Sequence, residues 1–185
     1  MRNLCTLFFF FFSSLVFADD ISDFEIERIS IGDSLLDYFN EKKINENIYY
    51  YPNDDEFVRR GIFIKSEKYD WLNIHTKKID KEYIVKAIAG MKSFEKNIED
   101  CYPEKDLIVK EVSKLFKEIE KKTFEKRSHV IDSKSYTTDV YFFFKDGSYA
   151  MISCYDWSLE SNTTDSLWVS VNHIEFVNWL DNKAY

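Results

Sequence analysis

Proline and glycine are nearly missing from this chain: two and four residues among 185. So few breakers, with aromatics at 18%, exclude a collagen-like repeat, a proline-rich linker and a disordered polar chain. There is no glycine-rich phosphate loop, no HExxH and no nucleophile elbow. The three histidines, His75, His129 and His173, are too scattered for a zinc site, so neither a metal nor a cofactor is expected. Positive charge is also short. Lysine and arginine number 25 against 33 carboxylates, a net charge of −8. That balance argues against nucleic acid and against anionic membrane surfaces as partners.

One long apolar run is present, at the start: MRNLCTLFFFFFSSLVFADD. Arg2 supplies a short basic region, an apolar stretch follows, and Val16-Phe17-Ala18 precede two aspartates. This pattern predicts a cleaved signal peptide over 1–18, too short to remain as a membrane span. Cys5 lies ahead of the apolar run instead of after it, so no lipid anchor is expected. Removing Arg2 with this leader takes the net charge from −8 to −9. Residues 19–185 are then one domain, periplasmic or secreted, with no membrane span after cleavage.

Two cysteines remain after processing, Cys101 and Cys154. In an oxidising compartment they have a single intramolecular pairing, and the disulfide would close a loop worth roughly 4 kcal/mol. The rival reading is a thiol nucleophile at Cys154, which needs a neighbouring base.

The first patterned stretch of the mature chain is FEIERISIGDSLLDYFN. Phe24, Ile26, Ile29 and Ile31 alternate with polar residues, with a phase slip at Arg28, and predict a strand. Gly32 breaks it, and Ser34 and Asp37 approximate a capping box for a helix anchored by Leu35, Leu36 and Phe39. NIYYYPNDDE predicts a loop, whose acidic run lacks the spacing of a calcium-binding EF-hand. FVRRGIFIK, DWLNIHT and EYIVKAIA predict three strands in a meander. In the second of these, Leu72 and Ile74 share one face and Trp71, Asn73 and His75 the other.

Pro103 reads as the first residue of a long helix over 103–122, with a stripe of Ile108, Val112, Leu115, Phe116 and Ile119. In DVYFFFKDGSYAMISCYD, Asp146-Gly147 predicts a two-residue hairpin turn. That turn would pair Phe144 with Tyr149, Phe142 with Met151 and Val140 with Ser153. SLWVSV adds a strand, and the run from Asn172 to Leu180 predicts a short final helix, with Asn172 as the cap and Glu175 three residues after it. Asn162-Thr163-Thr164 is a glycosylation sequon, relevant only in a eukaryotic secretory pathway.

The segment Ile29-Ser30-Ile31-Gly32-Asp33-Ser34-Leu35 loosely resembles the start of the helix in the small lipoproteins of the outer-membrane barrel-assembly machinery. The likeness is local, the lipid-attachment cysteine of that family is missing, and no site residue carries across. More broadly, the chain resembles uncharacterised exported bacterial proteins, which implies no activity.

The expected architecture is α+β. An antiparallel sheet of about six or seven strands packs against the single long helix 103–122, with short helices near both ends. The expected function is a non-catalytic interaction module of the bacterial envelope. It would act as a monomer, recognise a protein or an envelope component, and be of a size and charge that suit an inhibitor. Tyr49, Tyr50, Tyr51, Trp71, Trp157 and Trp168 are the candidate stacking residues. The plainer reading of these rings is cover for core and sheet. The alternative function is a secreted hydrolase using Cys154 or a carboxylate pair.

Overall fold

Charged and apolar residues alternate along much of the chain, and alternation of period two builds sheets. The computed structural model describes residues 20–64, 66–95, 97–129 and 132–185; the expected signal peptide over 1–18 lies outside them. Eight strands form one antiparallel sheet: β1 Ile48–Tyr50, β2 Phe57–Phe63, β3 Trp71–Lys77, β4 Ala87–Ser93, β5 Glu120–Ser128, β6 Tyr136–Phe143, β7 Tyr149–Asp156 and β8 Ser166–Asn172. Their order is β1-β2-β3-β4-β8-β7-β6-β5. The sheet is therefore two four-stranded meanders joined along β4 and β8. The helices are α1 Glu41–Ile44, α2 Cys101–Leu115 and α3 Ile174–Asn182.

This corrects the expected architecture. Among the described residues there are eight strands, not six or seven, and the sheet is not built on one long helix over 103–122. A short 3-10 turn over Ile98–Asp100 leads into α2, which ends at Leu115. Glu120, Lys121 and Lys122 lie in β5 instead. The run EKKTFEKRS has no apolar stripe to hold it as a helix, and pairing with β6 along most of its length overrides its helix propensity. As an outer strand β5 is covered in charge, which discourages edge-to-edge association.

Two further expectations change. Phe24 to Ile31 is not a strand. Ile26 and Ile29 bridge each other across Glu27 and Arg28, both at positive φ (53° and 68°), so the phase slip is itself a tight reversal. Ser34 then caps only a 3-10 turn, Leu35–Asp37, and Asn40 caps α1. The β6–β7 connection closes on Phe144 and Ser148 with three residues between them, Gly147 at φ 92° and Phe144 N–H donating to Ser148 O at 2.9 Å. Phe142 therefore opposes Ala150 and Val140 opposes Ile152. The slip of one residue moves all of β7 to the other face relative to β6.

The alternation in β3 is as expected. Leu72 and Ile74 join Ile62, Ile88, Ile152 and Val169 in the main core, capped by α2 and the N-terminal turns. The disulfide Cys101–Cys154 ties the first turn of α2 to β7, Cα atoms 6.1 Å apart, with both residues fully buried. On the opposite face α3 covers one corner of the sheet, packing Phe176 and Trp179 against Phe57 and Ala87. Among the described residues no helix is long and apolar enough to cross a membrane.

Candidate functional site

Among the described residues, the sheet face that carries α3 is otherwise free of helices, and the register arranges its side chains in rows. Phe63, Trp71, Met91, Trp168, Ser153, Asp139 and Phe124 lie side by side across β2, β3, β4, β8, β7, β6 and β5. The adjacent row reads Gly61, Asn73, Ala89, Ser170, Met151 and Tyr141. The first row is large and at least partly exposed from Phe63 to Trp168 and again at Phe124, with Ser153 and Asp139 buried between. The second has a small, buried centre in Asn73, Ala89 and Ser170.

Gly61 has a specific reason to lack a side chain. A Cβ there would meet Trp71 Cζ2 at 2.5 Å, so glycine lets the indole lie over β2. Trp71 Nε1 donates to Asn73 Oδ1 at 3.3 Å, and Trp168 Nε1 to Ser166 Oγ at 3.1 Å. Both indoles are thus held by a residue two positions away on their own strand. Trp168 meets Tyr155 with ring centroids 5.8 Å apart; Tyr155 stacks on Trp157 at 6.1 Å, and Trp157 lies 4.6 Å from His129. The Trp157 Nε1 donor is closed off from solvent with no hydrogen-bond partner among the described residues.

At the β5–β6 edge this aromatic surface ends in a buried carboxylate. Asp139 accepts from Arg127 Nε at 2.8 Å, Arg127 Nη2, Thr137 Oγ1 at 2.9 Å and Ser153 Oγ. Tyr141 and Tyr155 join Arg127, Thr137 and Asp139 around a cavity of about 200 Å³. Burial, with the Asp139 charge adding to it, pushes the Tyr155 phenol up to about 12. At the opposite edge a cavity of about 370 Å³ is lined by Asn47, Tyr49, Arg59, Gly61, Trp71 and Asn73. There the Arg59 guanidinium lies 4.6 Å over the Tyr49 ring.

The six aromatic candidates therefore separate. Tyr49, Trp71, Trp157 and Trp168 belong to the helix-free surface. Tyr50 is exposed beside Lys78, and Tyr51 is buried beneath α3. The Tyr51 hydroxyl bonds His75 Nε2 at 2.8 Å, and His75 stacks on Phe176 at 4.3 Å. Burial, with the Arg59 charge adding to it, depresses the His75 imidazole to about 3, so it is neutral near pH 7.

The acidic run before β2 is occupied by protein donors. Asp54 accepts from Trp179 Nε1 at 2.7 Å, Asp55 pairs with Lys78, and Glu56 pairs with Lys77 and Lys183. Cys101 and Cys154 are bonded to each other, so in this oxidised form Cys154 carries no free thiol. Asp139, Arg127 and Ser153 were missed as a group. Only the β6–β7 register brings Asp139 to Ser153, and the expected register paired Ser153 with Val140 instead. No family model matches the sequence, and no curated protein is significantly similar to it.

Proposed function

We propose that this chain is a non-catalytic exported binding module that lays an envelope saccharide across the helix-free face of its sheet. The single observation that carries the reading is the row Phe63, Trp71, Met91 and Trp168, crossing four strands beside the smaller Gly61, Asn73, Ala89 and Ser170. Flat rings next to hydroxyl and amide groups suit sugars, whose C–H faces stack on indole while their hydroxyls bond Ser and Asn. The disulfide and the pattern of residues 1–18 support export. Asp139 already has four hydrogen bonds from protein groups, which suits a positioning role for Arg127 and Tyr141 better than acid–base work.

Tryptophan fluorescence of the oxidised domain, titrated with soluble neutral cell-wall oligosaccharides, tests this. Saturable quenching that disappears in Trp168→Ala and in Trp71→Ala is expected. Unchanged binding in both variants, or binding of an extended neutral peptide in place of the sugar, would overturn it.

A further inference from the structure

A second surface lies on the other side of the sheet and has different chemistry. Between α2, the turn at Asp23 to Glu25 and the side chain of Tyr69 is an apolar groove of about 310 Å³, the size of a small ligand site. Phe24, Val112 and Val169 form its buried floor. Leu115 stands at its mouth, 55% exposed, where a core residue would be covered. Tyr69 walls the inner side, its ring packed where a side chain on Gly90 would otherwise stand.

Carboxylates rim this groove. Glu104 is neutralised by Lys92 at 2.7 Å. Asp23, Glu25 and Glu111 have no ion pair among the described residues. Among the described residues, Lys68 is the one cationic residue lining it. An apolar trough edged by unpaired negative charge discriminates among occupants. A neutral apolar ligand would leave the charges unused, and an acidic one would be repelled. A long lysine or arginine side chain satisfies both parts, laying its methylene stem on Phe24, Val112 and Leu115 while its head reaches the carboxylates.

We infer that this groove docks a basic amphipathic segment of a partner protein, inserting a lysine or arginine beside an apolar neighbour that covers Leu115. The net charge of −8 draws such a partner in, and the rim fixes where it lands. This surface is separate from the saccharide face, so each stands or falls alone.

The test uses the oxidised domain and a synthetic Leu/Lys amphipathic peptide of about 11 residues, three helical turns. The same peptide with every Lys replaced by Glu is the control. Calorimetry is expected to show binding of the basic peptide alone, weakening between about 0.05 M and 0.5 M salt as the rim charges are screened. The double variant Glu25→Gln with Glu111→Gln should lower affinity about tenfold and flatten the salt dependence. Leu115→Asn should lower affinity while keeping that dependence; the site is exposed, so folding is unaffected. Trp168→Ala should leave peptide binding intact. Equal binding of the acidic peptide, or unchanged affinity in the Glu variants, overturns the inference. So does a wild-type dimer that Leu115→Asn dissociates, since the occupant would then be a second copy.

Discussion

The two meanders of the sheet repeat one strand pattern but hold their helices by different physical means. The helix that follows the first meander, α2, packs across the second, and Cys101–Cys154 binds it covalently to β7. The helix that follows the second meander, α3, packs back on the first without a covalent tie. It relies on Phe176 between Phe57 and His75, on Trp179 against Phe57, and on Glu175 paired with Lys77 and Lys86. Crossing the helices in this way leaves neither meander independent, although the chain orders them one after the other. It also divides the surface. The α2 side becomes an acidic apolar groove, and the α3 side leaves the rows from Phe63 to Trp168 open as an aromatic face.

The largest break in this comparison is chemical. Replacing Cys101 and Cys154 together by serine removes the closure of a loop whose ends are 53 residues apart and should lower stability by roughly 4 kcal/mol. Urea unfolding of the variant, or of the wild type with and without reductant, reads this directly. An unchanged midpoint would mean that the apolar contacts of Val112 and Phe116 hold α2 unaided.

The corresponding break on the α3 side is a cavity. Phe176 is 2% exposed, and Phe176→Ala should cost about 3 kcal/mol. Its loss should be insensitive to reductant, whereas the cysteine variant should mimic reduction. If reductant instead amplified the loss in Phe176→Ala, the two attachments would be coupled through β4 and β8.

The third test separates the halves by pH. His75 titrates at about 3 in the folded chain, against about 6.5 when unfolded. The unfolded chain therefore takes up the proton first as pH falls. This contribution is fully present above about pH 6.5, declines below it and amounts to a loss of about 2 kcal/mol by pH 5. Glu175, held down to about 2 by hydrogen bonds from Lys77 and Lys86, adds loss in the same direction below about pH 4.5. Both groups lie at α3, while α2 is tied by a bond that does not titrate. Melts of wild type and His75→Gln from pH 7 to pH 4 should show a slope in the first and a shallower one in the second.

These contrasts also show which parts of the molecule could be read in advance. The alternation of Leu72 and Ile74 against Trp71, Asn73 and His75 is legible because period two is local to β3. The final helix is legible from its local capping pattern, but the expected cap Asn172 is one residue early: His173 caps α3, with Glu175 N–H donating to its Nδ1 at 3.2 Å. The pairing of Cys101 with Cys154 is legible because Cys5, the third cysteine, falls in the expected leader. β5 is not legible, because its helix-favouring lysines and glutamates become a strand only when β6 lies alongside. Nor is the Asp139 cluster, which depends on one residue of register in the β6–β7 loop. The row from Phe63 to Trp168 unites residues more than a hundred positions apart, and only the order β2-β3-β4-β8 brings them together.

The smallest expected effect tests an asymmetry between the meanders. The first has an elaborate lead-in, in which Ser34 bridges to Ile84 and anchors the approach to β4; β5 instead follows α2 after a short connection. The Ser34 hydroxyl works in both directions, accepting from Leu36 N–H at 3.3 Å and donating to Glu82 O at 2.6 Å. Ser34→Ala removes both bonds, but the site is solvent-exposed, so water replaces part of what is lost. The expected cost is about 1 kcal/mol, in the usual range for a cap. A thermal melt should move down slightly, with oligosaccharide and basic-peptide binding unchanged, since Ser34 lines neither surface. Weaker peptide binding at unchanged stability would instead show that the lead-in positions Phe24 and the groove beside it.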